Sequence, residues 1–249
     1  MYIDTVSPLI NGTRAPLANA VGWNNTPVVG TFGCSDAQSG IDTCSGEVIV
    51  STEGVNQPPA VSVAGVAHGA TYTLGQMPAA TCATSDSLSG VLTSATANVT
   101  GGTSAGVGQF TAACSGAVDR AGNTGSATPV YEVHYPFTGF FPPVDNLPVF
   151  NLATAGSTIP LKFHLAGNFG LGILMPGSPV SSAIGCESAA AIAEVEETPT
   201  GTTSGLTIDA LTGQYQYNWK TERAWRGSCR LLTVALDDGS LHQMKVWFR

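Results

Sequence analysis

The chain has 249 residues, only 10% of them charged, and its 17 acidic and 9 basic side chains leave a net charge of −8. That balance excludes a nucleic-acid surface, which needs clustered cations against the phosphates, and no run of about 18 apolar residues exists to span a membrane. Gly and Pro are abundant at 30 and 15, and with β-branched residues they favour short strands joined by turns over helices.

Met1-Tyr2-Ile3-Asp4 lacks the basic and apolar regions of a signal peptide. Taken with the cysteines, this reads as the C-terminal part of a longer secreted protein or as a gene fragment; a cytoplasmic protein is the rival. Residues 1–57 form a first unit, with strands expected at Val28-Val29-Gly30-Thr31-Phe32 and Glu47-Val48-Ile49-Val50. It runs from Gly54-Val55-Asn56-Gln57 straight into Pro58-Pro59 with no closing strand. An incomplete sheet of this kind exposes an edge open to self-association.

Residues 58–135 form a second unit that repeats the first. Cys34-Ser35-Asp36-Ala37-Gln38-Ser39-Gly40-Ile41 resembles Thr84-Ser85-Asp86-Ser87-Leu88-Ser89-Gly90-Val91, and a Cys-Ser-Gly follows each time, at Cys44 and Cys114. Two homologous units is the economical explanation. Strands are expected around Val61 and Val63, at Thr71-Tyr72-Thr73-Leu74, at Gly108 to Cys114 with Phe110, Ala112 and Cys114 on one face, and at Val130 to Tyr135. Asp119-Arg120-Ala121-Gly122-Asn123 reads as a turn.

Residues 136–148, rich in Pro and Phe, make a semi-rigid, partly packed linker. The third unit covers 149–249. Leu161, Phe163 and Leu165 alternate with polar residues, as do Tyr215, Tyr217 and Trp219, and Asp237-Asp238-Gly239-Ser240 signals a hairpin returning through Met244, Val246 and Phe248. Only Glu187 to Glu197 could be a helix, and its alanines leave that ambiguous.

Six cysteines fall two to a unit, and no CxxC pair suggests zinc. That parsing pairs Cys34 with Cys44, Cys82 with Cys114 and Cys186 with Cys229; buried free thiols are the alternative. Each bridge would add about 3–4 kcal/mol in the chain-entropy model, and such bridges persist only in an oxidising compartment.

Candidate chemistry is sparse. Gly102-Thr103-Ser104-Ala105-Gly106 matches the G-x-S-x-G pattern, but a nucleophile elbow needs a buried strand before it and a helix after it. Neither is expected here, so a hairpin loop is the better reading. His68, His134, His164 and His242 have no metal-ligand spacing. Glu194, Glu196 and Glu197 cluster and Asp237-Asp238 adjoin, yet a small sandwich offers no cleft for paired-carboxylate chemistry. Asp36, Asp42 and Asp86 lie near loops without a DxDxDG pattern, so no cofactor or metal is expected. Tyr215, Tyr217 and Trp219 share an inward face, whereas Trp247 has opposite parity to Val246 and Phe248 and is the best exposed aromatic, with Trp225 beside it as a second candidate for ligand binding.

The first two units resemble bacterial Ig-like repeats of secreted and surface proteins, on Asp4-Thr5-x-x-Pro8, the Ser-Asp-x-x-Ser-Gly turns and Asp119-x-Ala121-Gly122-Asn123. The third is similar to the C-terminal module named for its PxKF motif. That similarity rests on Gly139-Phe140-Phe141-x-Pro143-Val144-Asp145-Asn146, Ala155-Gly156-Ser157-x-Ile159-Pro160-Leu161-Lys162-Phe163, Gly213-Gln214-Tyr215-x-Tyr217-x-Trp219-Lys220-Thr221 and Ala224-Trp225-x-Gly227-x-Cys229-Arg230. The resemblance implies an all-β chain of tandem small Ig-like β-sandwich domains with disulfides, extracellular or at a cell surface. Its expected role is non-catalytic, as a spacer, adhesion or surface-association element contacting a cell-surface protein or polysaccharide. A carbohydrate-binding accessory module of a larger secreted enzyme is the alternative.

Overall fold

The structure, a computed structural model, describes residues 3–51, 57–195 and 205–249. The chain is all-β with three disulfides, and one of its sheets curls into a half-barrel. Among the described residues the one helical element is a 3-10 turn, Arg223–Trp225, and no helix is long and apolar enough to cross a membrane.

Strands β1 (Leu9–Ala15), β2 (Val28–Ser35) and β3 (Glu47–Val50) form an antiparallel sheet in that order. Next come β4 (Ala60–Ala64), β5 (Thr71–Thr73), β6 (Thr81–Ser85), β7 (Val91–Thr93), β8 (Thr96–Gly101), β9 (Gly108–Asp119), β10 (Thr124–Ala127) and β11 (Val130–His134). The remainder holds β12 (Phe140–Phe141), β13 (Phe150–Ala153), β14 (Thr158–Phe163), β15 (Val180–Ile184) and β16 (Ile192–Glu194). It closes with β17 (Gly205–Ile208), β18 (Tyr215–Lys220), β19 (Cys229–Ala235) and β20 (Leu241–Phe248). By compactness the described residues fall into two units: one drawn from 1–67, 79–99 and 112–129, the other from 68–78, 100–111 and 130–249.

In the first of these, no residue of β1, β2 or β3 is buried. Ile10, Phe32, Val48 and Val50 fall on one face by register, and all four are exposed. The repeat seen in the sequence is a repeated turn. Asp36 Oδ1 accepts from the backbone N–H groups of Gln38, Ser39 and Gly40, and Asp86 Oδ1 accepts from those of Leu88 and Gly90. Gly40 and Gly90 both sit at positive φ, 78° and 80°, a conformation that glycine adopts without steric cost. These Asx turns explain why Asp and Gly recur at that spacing. β4 pairs with β6, and the half-buried positions Val61, Val63, Cys82 and Thr84 share one face. Cys82 is bonded to Cys114 on β9, whose side chain is fully buried. The Asp119–Asn123 turn is closed by two hydrogen bonds from Asn123 to the Asp119 carboxylate, at 2.7 and 2.8 Å.

In the second, β12-β14-β18-β17 make one sheet and β15-β19-β20-β13-β16 another, with β13 parallel to both its neighbours. Ile159, Leu161 and Phe163 of β14 and Tyr215 and Trp219 of β18 are buried, as are Leu232 and Val234 of β19 and Met244, Val246 and Phe248 of β20. Phe163 stacks on Tyr215 at 5.4 Å, and Trp219 meets Phe248 edge-on at 6.0 Å. Side chains of this kind each contribute about 1.5–3 kcal/mol by leaving water. The Pro-rich segment is packed: Phe140 and Val144 are buried, and the Asn146 amide donates to and accepts from the Phe140 backbone.

One local expectation changes. Where a helix was one option, Ala190 closes a turn on Glu187 and residues 192–194 form β16 alongside β13. Pairing with Phe150, Asn151 and Leu152 outweighs a weak alanine preference for helix. Met1 and Tyr2, residues 54–56 ahead of Pro58-Pro59, and Glu196 and Glu197 lie outside the described residues.

Candidate functional site

Three segments of the second unit converge on one cleft of about 400 Å³ lined by Thr154, Ala155, Arg223, Arg226 and Arg249. Their positions follow from backbone and hydroxyl bonds. The Thr221 hydroxyl, buried at 6% exposure, donates to the Ser157 carbonyl at 2.6 Å and accepts from Gly156 N–H at 3.1 Å. The Ala-Gly-Ser loop and the Lys-Thr-Glu-Arg segment are thereby locked together. Gly156 has φ +85°, and a Cβ there would run into the Arg223 side chain, so this glycine lets the arginine stem cross the loop. Gly227 N–H donates to Phe248 O, Arg249 N–H to Ala153 O, and Ala155 N–H to Arg249 O. Below the 3-10 turn, Trp225 packs on Trp219 at 5.8 Å and on Phe248 at 5.7 Å.

The electrostatics single this place out. Residues 205–249 carry six Lys or Arg against four Asp or Glu, in a chain whose net charge is −8. Arg249 donates to Glu194 Oε1 at 2.7 Å, whereas neither Arg223 nor Arg226 pairs with a carboxylate among the described residues. No motif or spacing in the sequence marks these arginines, because Arg223 and Arg226 meet Arg249 only in the folded chain.

The two tryptophans proposed from sequence occupy different settings. Trp247 is half-buried, opposite in parity to the buried Val246 and Phe248, and edge-on to Phe150 at 6.2 Å. Trp225 is half-buried with the Arg230 guanidinium 4.0 Å from its ring centroid, a cation–π contact that covers one ring face. Arg230 is in turn fixed by Ser181, whose hydroxyl accepts at 2.8 Å. All six cysteines are paired as the parsing implied, Cys34–Cys44, Cys82–Cys114 and Cys186–Cys229.

A second polar cluster lies at the β19–β20 hairpin. Asp238, 2% exposed, accepts from Tyr135 N–H at 2.6 Å through Oδ2, and from Ser240 N–H at 2.8 Å and Ser240 Oγ–H at 2.5 Å through Oδ1. Ser240 Oγ lies 2.9 Å from His242 Nε2. This looks like a nucleophile–base pair, but the hydroxyl has one proton and Asp238 takes it. His242 Nε2 must then donate to Ser240, the reverse of what a general base does. Ser104, in the G-x-S-x-G stretch, sits in a turn closed by Gly106 N–H to Thr103 O, and β9 follows it rather than a helix. His68 accepts from Val130 N–H and His134 lies 3.2 Å from Glu132. Among the described residues no group of three or more His, Cys, Asp or Glu side chains is placed to hold a metal ion.

His242 has a pH consequence. It stacks on Phe137 at 3.6 Å, and burial pushes its pKa below the ordinary 6.5, Asp238 opposing and His134 reinforcing. A depressed base binds fewer protons folded than unfolded, so its contribution is intact above 6.5 and is lost as pH falls through 6.5 toward the folded value. Asp237 acts the other way: burial raises its carboxyl above 3.8, and the nearby Tyr135 hydroxyl makes no well-aligned bond to its Oδ1. Its contribution is full below 3.8 and lost as pH rises through the folded value. Thermal melts should therefore show a midpoint that falls between pH 7.5 and 5.5 in the wild type and falls less in His242→Phe.

Compared with models of known families and with curated proteins, the chain matches none.

Proposed function

We propose that this chain is a non-catalytic extracellular binding and spacing module, built from small Ig-like β-sandwiches and attached to or directed at a cell surface. The observation that carries the reading is the fate of the best reactive group: the Ser240 hydroxyl is spent on Asp238 inside a buried hairpin. Three disulfides support an oxidising location, and the repeated Asx turns support tandem homologous units. The Ig-like and PxKF resemblances point to the same setting, with residues 1–57, 58–135 and 149–249 as units and 136–148 as linker. The uncovered face of β1–β3 is a further contact surface, open to a second copy or to a surface protein.

The test is direct. Oxidised protein should retain on a cell-wall or polysaccharide fraction and leave chromogenic ester, peptide and glycoside substrates intact. Hydrolysis that disappears in Ser240→Ala would overturn the reading.

A further inference from the structure

We propose that the cleft between the 153–157 loop, the 3-10 turn and the end of β20 binds a single oxyanion, carboxylate or phosphate, carried on a sugar-sized group. The inference rests on the binding-module reading and names the chemistry of its ligand.

Nine cations serve the whole chain, and three of them line one cleft. Arg249 is already paired with Glu194, so among the described residues Arg223 and Arg226 carry the uncompensated positive charge of the cleft, and that charge attracts an anion. Guanidinium forks match planar carboxylates and phosphates in paired hydrogen bonds, which a lysine cluster would not do. Arg223 and Arg226 have their donors uncommitted to any carboxylate among the described residues, while Arg249 is steadied by Glu194. The bearing surface is preorganised: Thr221, Gly156 and the backbone bonds of Gly227, Phe248 and Arg249 hold the three segments in register. Less ordering is then required on binding.

The size and charge of the site decide between ligands. A volume of about 400 Å³ falls within the range of small-molecule sites, about 300–1,000 Å³. A long polyanion such as a nucleic acid needs a track of cations, and here a −8 chain offers one local cluster. A discrete oxyanion on a sugar therefore fits, either a uronic acid or a sugar phosphate. The Trp225 ring beside the cleft is already covered by Arg230, so recognition comes from the arginines rather than from a stacking platform.

The experiment is an NMR titration of the intact oxidised chain, following the Arg Nε–H resonances with glucuronate, glucose 1-phosphate, inorganic phosphate and neutral glucose. Arg223 and Arg226 should shift saturably with the anions and stay still with glucose, with dissociation constants of about 1 mM or tighter. Preference for glucuronate over glucose 1-phosphate identifies a uronic acid as the source, and the reverse a sugar phosphate. Arg223→Gln/Arg226→Gln should weaken binding at least about tenfold, and Arg14→Gln on β1 should leave it unchanged. Equal response to glucose, or no saturable shift with any anion in the wild type, overturns the proposal while leaving the non-catalytic reading intact; Ser240-dependent hydrolysis would remove that reading without touching the anion titration.

Discussion

Cys82→Ala/Cys114→Ala is expected to lower the unfolding free energy by about 3–4 kcal/mol, the loop-closure value for a bridge of this span. The two sulfurs are 32 residues apart in sequence. They join β6, a member of a two-stranded sheet, to β9. A two-stranded pair is marginal by itself in water, so the bridge adds a covalent tie to a buried neighbour beside the packing of β4 against β10. Cys34–Cys44 spans 10 residues, from β2 to the loop before β3, and its loss should cost less. Urea unfolding of the double variants, read by CD, orders the two; equal midpoints would show that β4–β6 is held by other contacts.

Trp219→Ala should cost about 3–5 kcal/mol. The indole is 6% exposed and touches both Trp225 and Phe248. These are the side chains that seat the 3-10 turn and the last strand. Truncation opens a cavity under the turn that carries Arg223 and Arg226, so anion binding should fall along with stability. Trp219→Phe keeps much of the volume and should recover most of both. A shift in melting temperature of only a degree or two for the alanine variant would mean that the sheet faces are not packed through this residue.

What could be read in the sequence was periodic or covalent. Alternation in Leu161, Phe163 and Leu165 places all three in the core because successive strand residues point to opposite faces, and they are fully buried. Cysteine pairing followed from dividing the chain into segments, since each bridge joins the two cysteines of one segment. The Asp-x-x-Ser-Gly repeat was legible because an Asx turn needs its acceptor and its glycine at set positions. β16 was not, because three residues gain their strand conformation from β13, about 40 positions away, and nothing local encodes that. The arginine cleft was equally hidden. Arg223 and Arg226 adjoin Arg249 only after Gly227 and Phe248 have joined the turn to β20, a coincidence of tertiary structure that no spacing rule captures.

The parallel pairing of β13 with β20 has a mechanical corollary. A pull applied between residue 150, at the start of β13, and residue 249, just beyond β20, loads that ladder lengthwise. Its rungs then resist together in shear, instead of parting one at a time as in an unzipped hairpin. Tension between these two points would meet a seam of four parallel residue pairs loaded in shear.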